Sequence, residues 1–166
     1  KRNMVYQLTQ LTLTRISEWI AQHSDTVLLF DASEQLVEIC ELATQAVPEE
    51  VRKRMLPIVR DPQHVELVRS TGFDQVVLSL TYESITDYDA VWFCRRHQPV
   101  AVAAHYKRWR KNRLAERVNS EGVWTISTTY RGEISVEDWH SAGTDSVLTD
   151  AAAWLMKARR ESLANQ

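Results

Sequence analysis

The sequence is poor in residues that break or cross-link a chain: it has four glycines, four prolines and two cysteines in 166 residues. So few glycines and prolines exclude a linker-rich or low-complexity chain. The two cysteines, Cys40 and Cys94, lack the spacing of a metal knuckle or a redox pair. We therefore expect both to be buried, reduced thiols in a single folded domain.

Other absences limit the function. No apolar run reaches the roughly 18 residues that a membrane span needs, and no secretory signal is visible. The formal net charge of -2 lacks the positive excess that is typical of nucleic-acid binding. No glycine-rich phosphate loop follows a predicted strand. We therefore expect a cytoplasmic protein that has no transmembrane segment, no nucleic-acid partner and no common nucleotide-binding motif.

What is present is a regular alternation of apolar strands and amphipathic helices over residues 1–166, which we interpret as a single α/β domain. The predicted strands are residues 26–31, 55–59, 75–80, 100–104, 123–127 and 146–149. The predicted helices are residues 5–23, 34–46, 61–72, 87–97, 108–119, 136–142 and 151–163. This alternation is typical of a parallel sheet. It fits either part of a (β/α) barrel or an open doubly wound parallel sheet.

The end of the chain carries a more specific pattern. GVWTIS at residues 122–127, followed by GTDSVLTD at residues 143–150, resembles the C-terminal end of the glycerophosphodiester phosphodiesterases. In that family a strand ending in Trp-Thr-Val and a short helix precede a Gly-Val-Asp-Gly-Ile-Ile-Thr-Asp run. The order of the upstream strands also agrees with the family. Residues 26–34 resemble the strand that carries the family's Glu-Ile-Lys motif, and residues 58–61 resemble the strand that ends in Ser-Phe-Asp. The resemblance implies a TIM barrel, incomplete here, with about six β/α units.

The departures from the family are equally specific. Its His-Arg-Gly, Glu-Asn-Thr and Asp-x-His motifs, which supply the catalytic histidines and most ligands of a divalent cation, do not occur in this sequence. The family pattern starts here at the helix before the third family strand, and the chain begins with Lys1, so we expect a processed or trimmed product. Where the family has Glu-Ile-Lys, this chain has Asp31-Ala32-Ser33. An aspartate can replace the metal-binding glutamate, whereas a serine cannot replace the lysine charge.

Four residues are candidates for a site, although no catalytic residue is identified. Asp31 is predicted to bind a divalent cation, Mg or Ca, or alternatively to cap the next helix. Arg60 is predicted to hold a phosphate, or alternatively to be solvated or salt-bridged. His105 either lines a pocket and transfers protons or is structural. Trp124 matches a family tryptophan that lines the substrate pocket, or alternatively packs in the core.

A basic cluster lies at residues 107–113, with Trp109 inside it. It could attract a phosphate or an anionic membrane surface, or it could be a solvated helix face.

Three functions remain open from the sequence. The first is metal-dependent hydrolysis of a phosphodiester, such as glycerophosphocholine or a phospholipid head group. The second is a degenerate, non-catalytic barrel that binds anions or proteins and covers its open sheet edges by forming a homo-oligomer or with its own helices. The third is an unrelated doubly wound domain that binds a partner protein or a small ligand.

Overall fold

The computed structural model describes residues 12–81, 85–128 and 142–148. The helix predicted at residues 151–163 lies outside these ranges, as do residues 5–11 of the first predicted helix and nearly all of the helix predicted at 136–142. None of the helices within the described ranges is long and apolar enough to cross a membrane.

The described sheet has six parallel strands that follow one another in chain order and curl into a half-barrel. The strands are β1 (Leu28–Phe30), β2 (Met55–Val59), β3 (Val77–Ser79), β4 (Ala101–His105), β5 (Trp124–Thr128) and β6 (Ser146–Leu148). Every neighbouring pair is parallel. A doubly wound sheet reverses its strand order at a switch point, and the described sheet has no such reversal. The predicted parallel α/β architecture is confirmed.

Seven helices accompany the strands in the described ranges. They are α1 (Leu13–Gln22), α2 (Leu36–Ala46), α3 (Glu49–Arg52), α4 (His64–Ser70), α5 (Asp87–His97), α6 (Tyr106–Trp109) and α7 (Leu114–Asn119), and a 3-10 turn at Ser33–Gln35 precedes α2. Thr12 caps α1, since its side-chain oxygen accepts a hydrogen bond from the Arg15 backbone N–H at 3.3 Å.

Two predicted helices differ from the observed ones. Residues 108–119 do not form one helix, because Asn112 and Arg113 both adopt φ of 52° and separate α6 from α7. The helix predicted from Asp61 begins only at His64. Asp61 instead closes a turn before the helix, with its Oδ1 accepting the Gln63 backbone N–H at 2.9 Å.

The strands alternate between two apolar layers, as the period of two requires. One set of side chains packs against the helices in the main core and includes Met55, Val59, Leu78, Val102 and Ala104. The other set forms a smaller cluster on the opposite face of the sheet, which we call the inner face. It consists of Val77, Ala101, Ala103 and Ile126, with Leu29, Leu56, Ile58 and Val100 partly buried beside them.

Burial follows these two layers, with three exceptions to the predictions. The continuous apolar run at residues 26–31 predicts a strand buried on both faces, but all of β1 is only half-buried, because it is an outermost strand of the described sheet. Helical spacing predicts that Leu42 on α2 and Leu67 on α4 point inward, but they are 48% and 51% exposed. Cys40 and Cys94 are fully buried free thiols, which confirms the prediction for both.

Candidate site at the carboxyl edge of the sheet

The parallel sheet brings three of the four candidate residues to one edge. Asp31 directly follows β1, Arg60 directly follows β2, and His105 is the last residue of β4. Trp124 is the first residue of β5 and pairs with Ala101 at the start of β4, so it lies at the opposite, amino edge. Its side chain is 64% exposed. Trp124 therefore lies neither beside the other three residues nor in the core.

Asp31 and Arg60 bind each other. Nε of Arg60 lies 3.0 Å from Oδ2 of Asp31, and Nη2 of Arg60 donates to the same oxygen. The cap residue of α2 is Gln35, so Asp31 does not cap that helix. The interpretation of Arg60 as salt-bridged is confirmed, and its partner is the residue that the sequence predicted to bind a metal. The pairing offsets part of the positive charge that Arg60 offers to a ligand.

Two hydroxyls that the sequence reasoning missed lie between Arg60 and His105 along the sheet. Ser79 ends β3, and its Oγ lies 2.6 Å from Oγ1 of Thr81. Both alternate with Leu78 and Leu80, which pack in the main core, so both hydroxyls lie on the inner face. This alternation of apolar and hydroxyl side chains is visible in the sequence and could have identified both hydroxyls.

His105 lies directly opposite Thr128 on the neighbouring strand. Nδ1 of His105 accepts the Lys107 backbone N–H at 3.4 Å, which leaves the proton of the neutral ring on Nε2. The Thr128 hydroxyl oxygen is buried and has no hydrogen-bond partner within the described residues. The hydroxyl is therefore a buried polar group in the wall of the rim and not a donor that a ligand can reach.

We call this set of polar side chains the carboxyl rim. Its members are Asp31, Arg60, Ser79, Thr81, His105 and Thr128. Neighbouring strands lie about 4.8 Å apart, and His105 on β4 is two residues farther along the register than Arg60, which follows β2, so the two stand roughly 12 Å from each other. The lower part of the same inner face is apolar. The rim therefore forms a polar strip, five strands wide, above an apolar floor.

The described part of the rim does not by itself fit a divalent cation. Magnesium takes six oxygen ligands and calcium six to eight. Within the described residues no group of three or more His, Cys, Asp or Glu side chains could hold a metal ion. Asp31 is the carboxylate of the rim, and a guanidinium already occupies it. A Mg or Ca ion at Asp31 stays a prediction of the family resemblance.

The basic cluster is not a uniform solvated face. Arg108 is largely buried: its Nε lies 3.1 Å from Oδ1 of Asp87, and its Nη atoms donate to the backbone oxygens of Leu80 and Ile85. Trp109 is fully buried. Two members of the cluster are thus structural, and Arg108 ties α6 to the segment between β3 and α5.

The two motifs that carry the family resemblance are hydrogen-bonded to each other in the structure. Oδ2 of Asp145 accepts both the backbone N–H of Thr125 at 2.8 Å and its hydroxyl at 2.9 Å. The hydroxyls of Ser127 and Thr144 lie 3.0 Å apart. These side chains connect β5 to the segment before β6, so they support the sheet instead of lining the rim.

No protein-family model matches the chain, and a search of curated proteins also finds no match. The resemblance to the glycerophosphodiester phosphodiesterases is therefore carried by the two motifs and the order of the strands, and it stays a prediction.

Proposed function

We propose that this chain is a phosphodiesterase-like (β/α)-barrel domain that binds a phosphodiester, either a small molecule or a phospholipid head group, at the carboxyl rim. The observation that carries this proposal is the rim itself. Five neighbouring parallel strands, β1 to β5, end in polar side chains on the same face of the sheet. Parallel α/β folds place their ligands at this edge, which supports the proposal.

The donors of the rim suit a phosphate group. Arg60 brings a guanidinium charge to the rim, with Nε and Nη2 facing Asp31, and the hydroxyls of Ser79 and Thr81 are neutral polar groups beside it. His105 adds an imidazole ring at the other side of the strip. The apolar floor below would hold the less polar part of the ligand and keep water away from the phosphate.

Calorimetric titration with glycerophosphocholine tests the proposal. Arg60→Ala should weaken binding about tenfold, since a hydrogen-bonded charge contributes roughly 1.5–3 kcal/mol. Arg54→Ala is the matched control, because Arg54 precedes the amino end of the same strand and donates to the His23 backbone oxygen. Equal affinity of the Arg60 variant and the unsubstituted protein would count against the rim as the binding site.

Hydrolysis of the bound phosphodiester is a second candidate, and His105 favours it. Its ring lies on the rim, and in its doubly protonated imidazolium form it could transfer a proton to a leaving alcohol and become neutral. Release of choline-containing product from glycerophosphocholine should be followed with Mg²⁺, with Ca²⁺ and with EDTA. Turnover that His105→Ala abolishes without loss of binding supports hydrolysis. Binding without turnover under all three conditions identifies a non-catalytic module.

The proposal includes self-association at the sheet edges. β1 and β6 each have one strand neighbour within the described sheet. An open strand edge exposes backbone groups that pair readily with another chain. Sedimentation velocity should show a concentration-dependent dimer, and a monomer at every concentration would contradict this part of the proposal.

A further inference from the structure

A cationic cleft adjoins the carboxyl rim. It has a volume of about 480 Å³, lies between the segment before α5 and α6, and is lined by Thr86, Asp87, His105, Lys107, Arg108 and Lys111. We call it the α6 cleft. We propose that it binds a second anionic group, a phosphomonoester or a carboxylate, of the ligand whose phosphodiester the rim holds. The inference builds on the proposed function of the rim.

The charges of the cleft are not balanced by its own carboxylate. Asp87 is the acidic residue among the lining side chains, and both of its oxygens are in use. Oδ1 lies 3.1 Å from Nε of Arg108, and Oδ2 lies 3.3 Å from Nδ2 of Asn112. Nη1 and Nη2 of Arg108 donate hydrogen bonds to two backbone oxygens. Asp87 and Arg108 therefore neutralise each other and hold the wall of the cleft in place.

Lys107 and Lys111 remain as the net positive charge of the cleft. Neither has a carboxylate partner within the described residues; the Lys107 ammonium lies 5.8 Å from the centre of the Tyr106 ring. Each ammonium has three hydrogen-bond donors. Two like charges that face one cleft repel each other, and an anion between them adds two attractive interactions that outweigh this repulsion.

Arg110 and Arg113 of the basic cluster do not line the cleft. Arg113 is paired with Glu116 instead. The charge in the cleft thus comes from two particular lysines instead of from the whole cluster.

His105 connects the two sites, because it belongs to the rim and also lines the cleft. Arg60 stands roughly 12 Å from His105, two strand spacings away and two residues back along the register. The matching ligand is therefore a phosphodiester whose alcohol carries a second anionic group within about that distance. A phosphodiester with a neutral alcohol would occupy the rim and leave the lysines without a partner.

The test compares two probes that differ by one phosphomonoester, glycerophosphoinositol and glycerophosphoinositol 4-phosphate, in calorimetric titrations. The unsubstituted protein should bind the phosphorylated probe about tenfold more tightly, as expected for two charge-assisted contacts. The double variant Lys107→Ala, Lys111→Ala should bind both probes with equal affinity. Arg113→Ala, the matched control, should keep the tenfold preference. Thermal melting shows whether the double variant is folded. We expect that it is, because both lysines lie on the surface.

Arg60→Ala separates this inference from the function proposed for the rim. This variant should weaken the binding of both probes by the same factor, so the ratio of their two affinities should stay the same. The inference is overturned if the unsubstituted protein binds the two probes with equal affinity. It is also overturned if the double lysine variant still prefers the phosphorylated probe. Unchanged affinities in Arg60→Ala overturn the function of the rim instead, even where the lysine variant behaves as expected.

Discussion

Arg60 and Asp31 form an ion pair across the carboxyl ends of β2 and β1, with Nε of Arg60 3.0 Å from Oδ2 of Asp31. Each side chain is about one-third exposed. Because Asp31 offsets the charge of Arg60, removing the carboxylate charge should strengthen anion binding. Asp31→Asn should raise the affinity for glycerophosphocholine up to about fivefold, corresponding to an ion pair of ~1 kcal/mol. Calorimetry at low ionic strength measures this.

The same variant distinguishes a metal ligand from an ion-pair partner. If Asp31 holds a divalent cation that the phosphate needs, then Asp31→Asn weakens binding in Mg²⁺ or Ca²⁺ and has no effect in EDTA. The ion pair predicts stronger binding in both conditions. A loss of affinity confined to the metal-containing buffer would contradict the ion-pair account and support the cation at Asp31.

Arg108 should be important for stability although it lies in a cluster that resembles an exposed basic face. Arg108→Ala removes the partner of Asp87 and leaves the backbone oxygens of Leu80 and Ile85 without their donor. We expect a loss of about 2 kcal/mol in the free energy of unfolding, since a partly buried charge is left unpaired. Urea denaturation measures it. Arg113→Ala should change stability by less than about 0.5 kcal/mol, because its pair with Glu116 is exposed. Similar losses in the two variants would refute the structural role of Arg108.

Asp145 should hold the end of the described sheet. Asp145→Ala removes the acceptor of the Thr125 backbone N–H and hydroxyl, both in a residue with no exposed surface. The expected destabilisation is about 2 kcal/mol, with Asp145→Asn less affected because its amide oxygen can still accept. Unfolding midpoints in urea compare the three proteins, and an alanine variant as stable as the unsubstituted protein would contradict the assignment.

The buried thiols predict a loss of stability at alkaline pH. Burial raises the pKa of Cys40 from 9.0 to about 11 and the pKa of Cys94 to about 12. The unfolded thiols release their protons near pH 9, whereas the folded ones keep them, so the folded state binds more protons above that pH. Stability should therefore be unaffected below pH 9 and fall as the pH rises from 9 to about 11. The slope approaches ~1.4 kcal/mol per pH unit for each thiol.

Urea titrations between pH 8 and pH 11 measure that slope, and the double variant Cys40→Ala, Cys94→Ala is the control. Cavities lower its stability at every pH, but the part of the slope that comes from the thiols disappears. Equal slopes in the two proteins would show that the thiols bind the same number of protons in the folded and unfolded states, which would contradict the raised pKa values.

The positions of the strands could be predicted from the sequence because most strands are short, nearly continuous apolar runs that alternate with amphipathic helices. β2 was correctly predicted at Met55–Val59 although it contains Pro57. The family analogy misplaced Trp124. The strand predicted at residues 123–127 already put this tryptophan near its start, and the start of a parallel strand lies at the edge away from the rim.

The partners within the site could not be predicted. Asp31 and Arg60 are 29 residues apart, and only the register between β1 and β2 brings them together. The same holds for Arg108 and Asp87, whose contact depends on how α6 lies against the segment after β3. The break at Asn112 and Arg113 also escaped prediction, since arginine has no intrinsic preference for positive φ.

Titration of the unsubstituted protein, Arg60→Ala and Trp124→Ala with glycerophosphocholine shows which edge of the sheet binds the ligand, because these two residues lie at opposite edges. We predict that the unsubstituted protein binds, that Arg60→Ala loses about tenfold in affinity, and that Trp124→Ala binds unchanged. Loss of binding in Trp124→Ala together with unchanged binding in Arg60→Ala would contradict the carboxyl rim as the binding site.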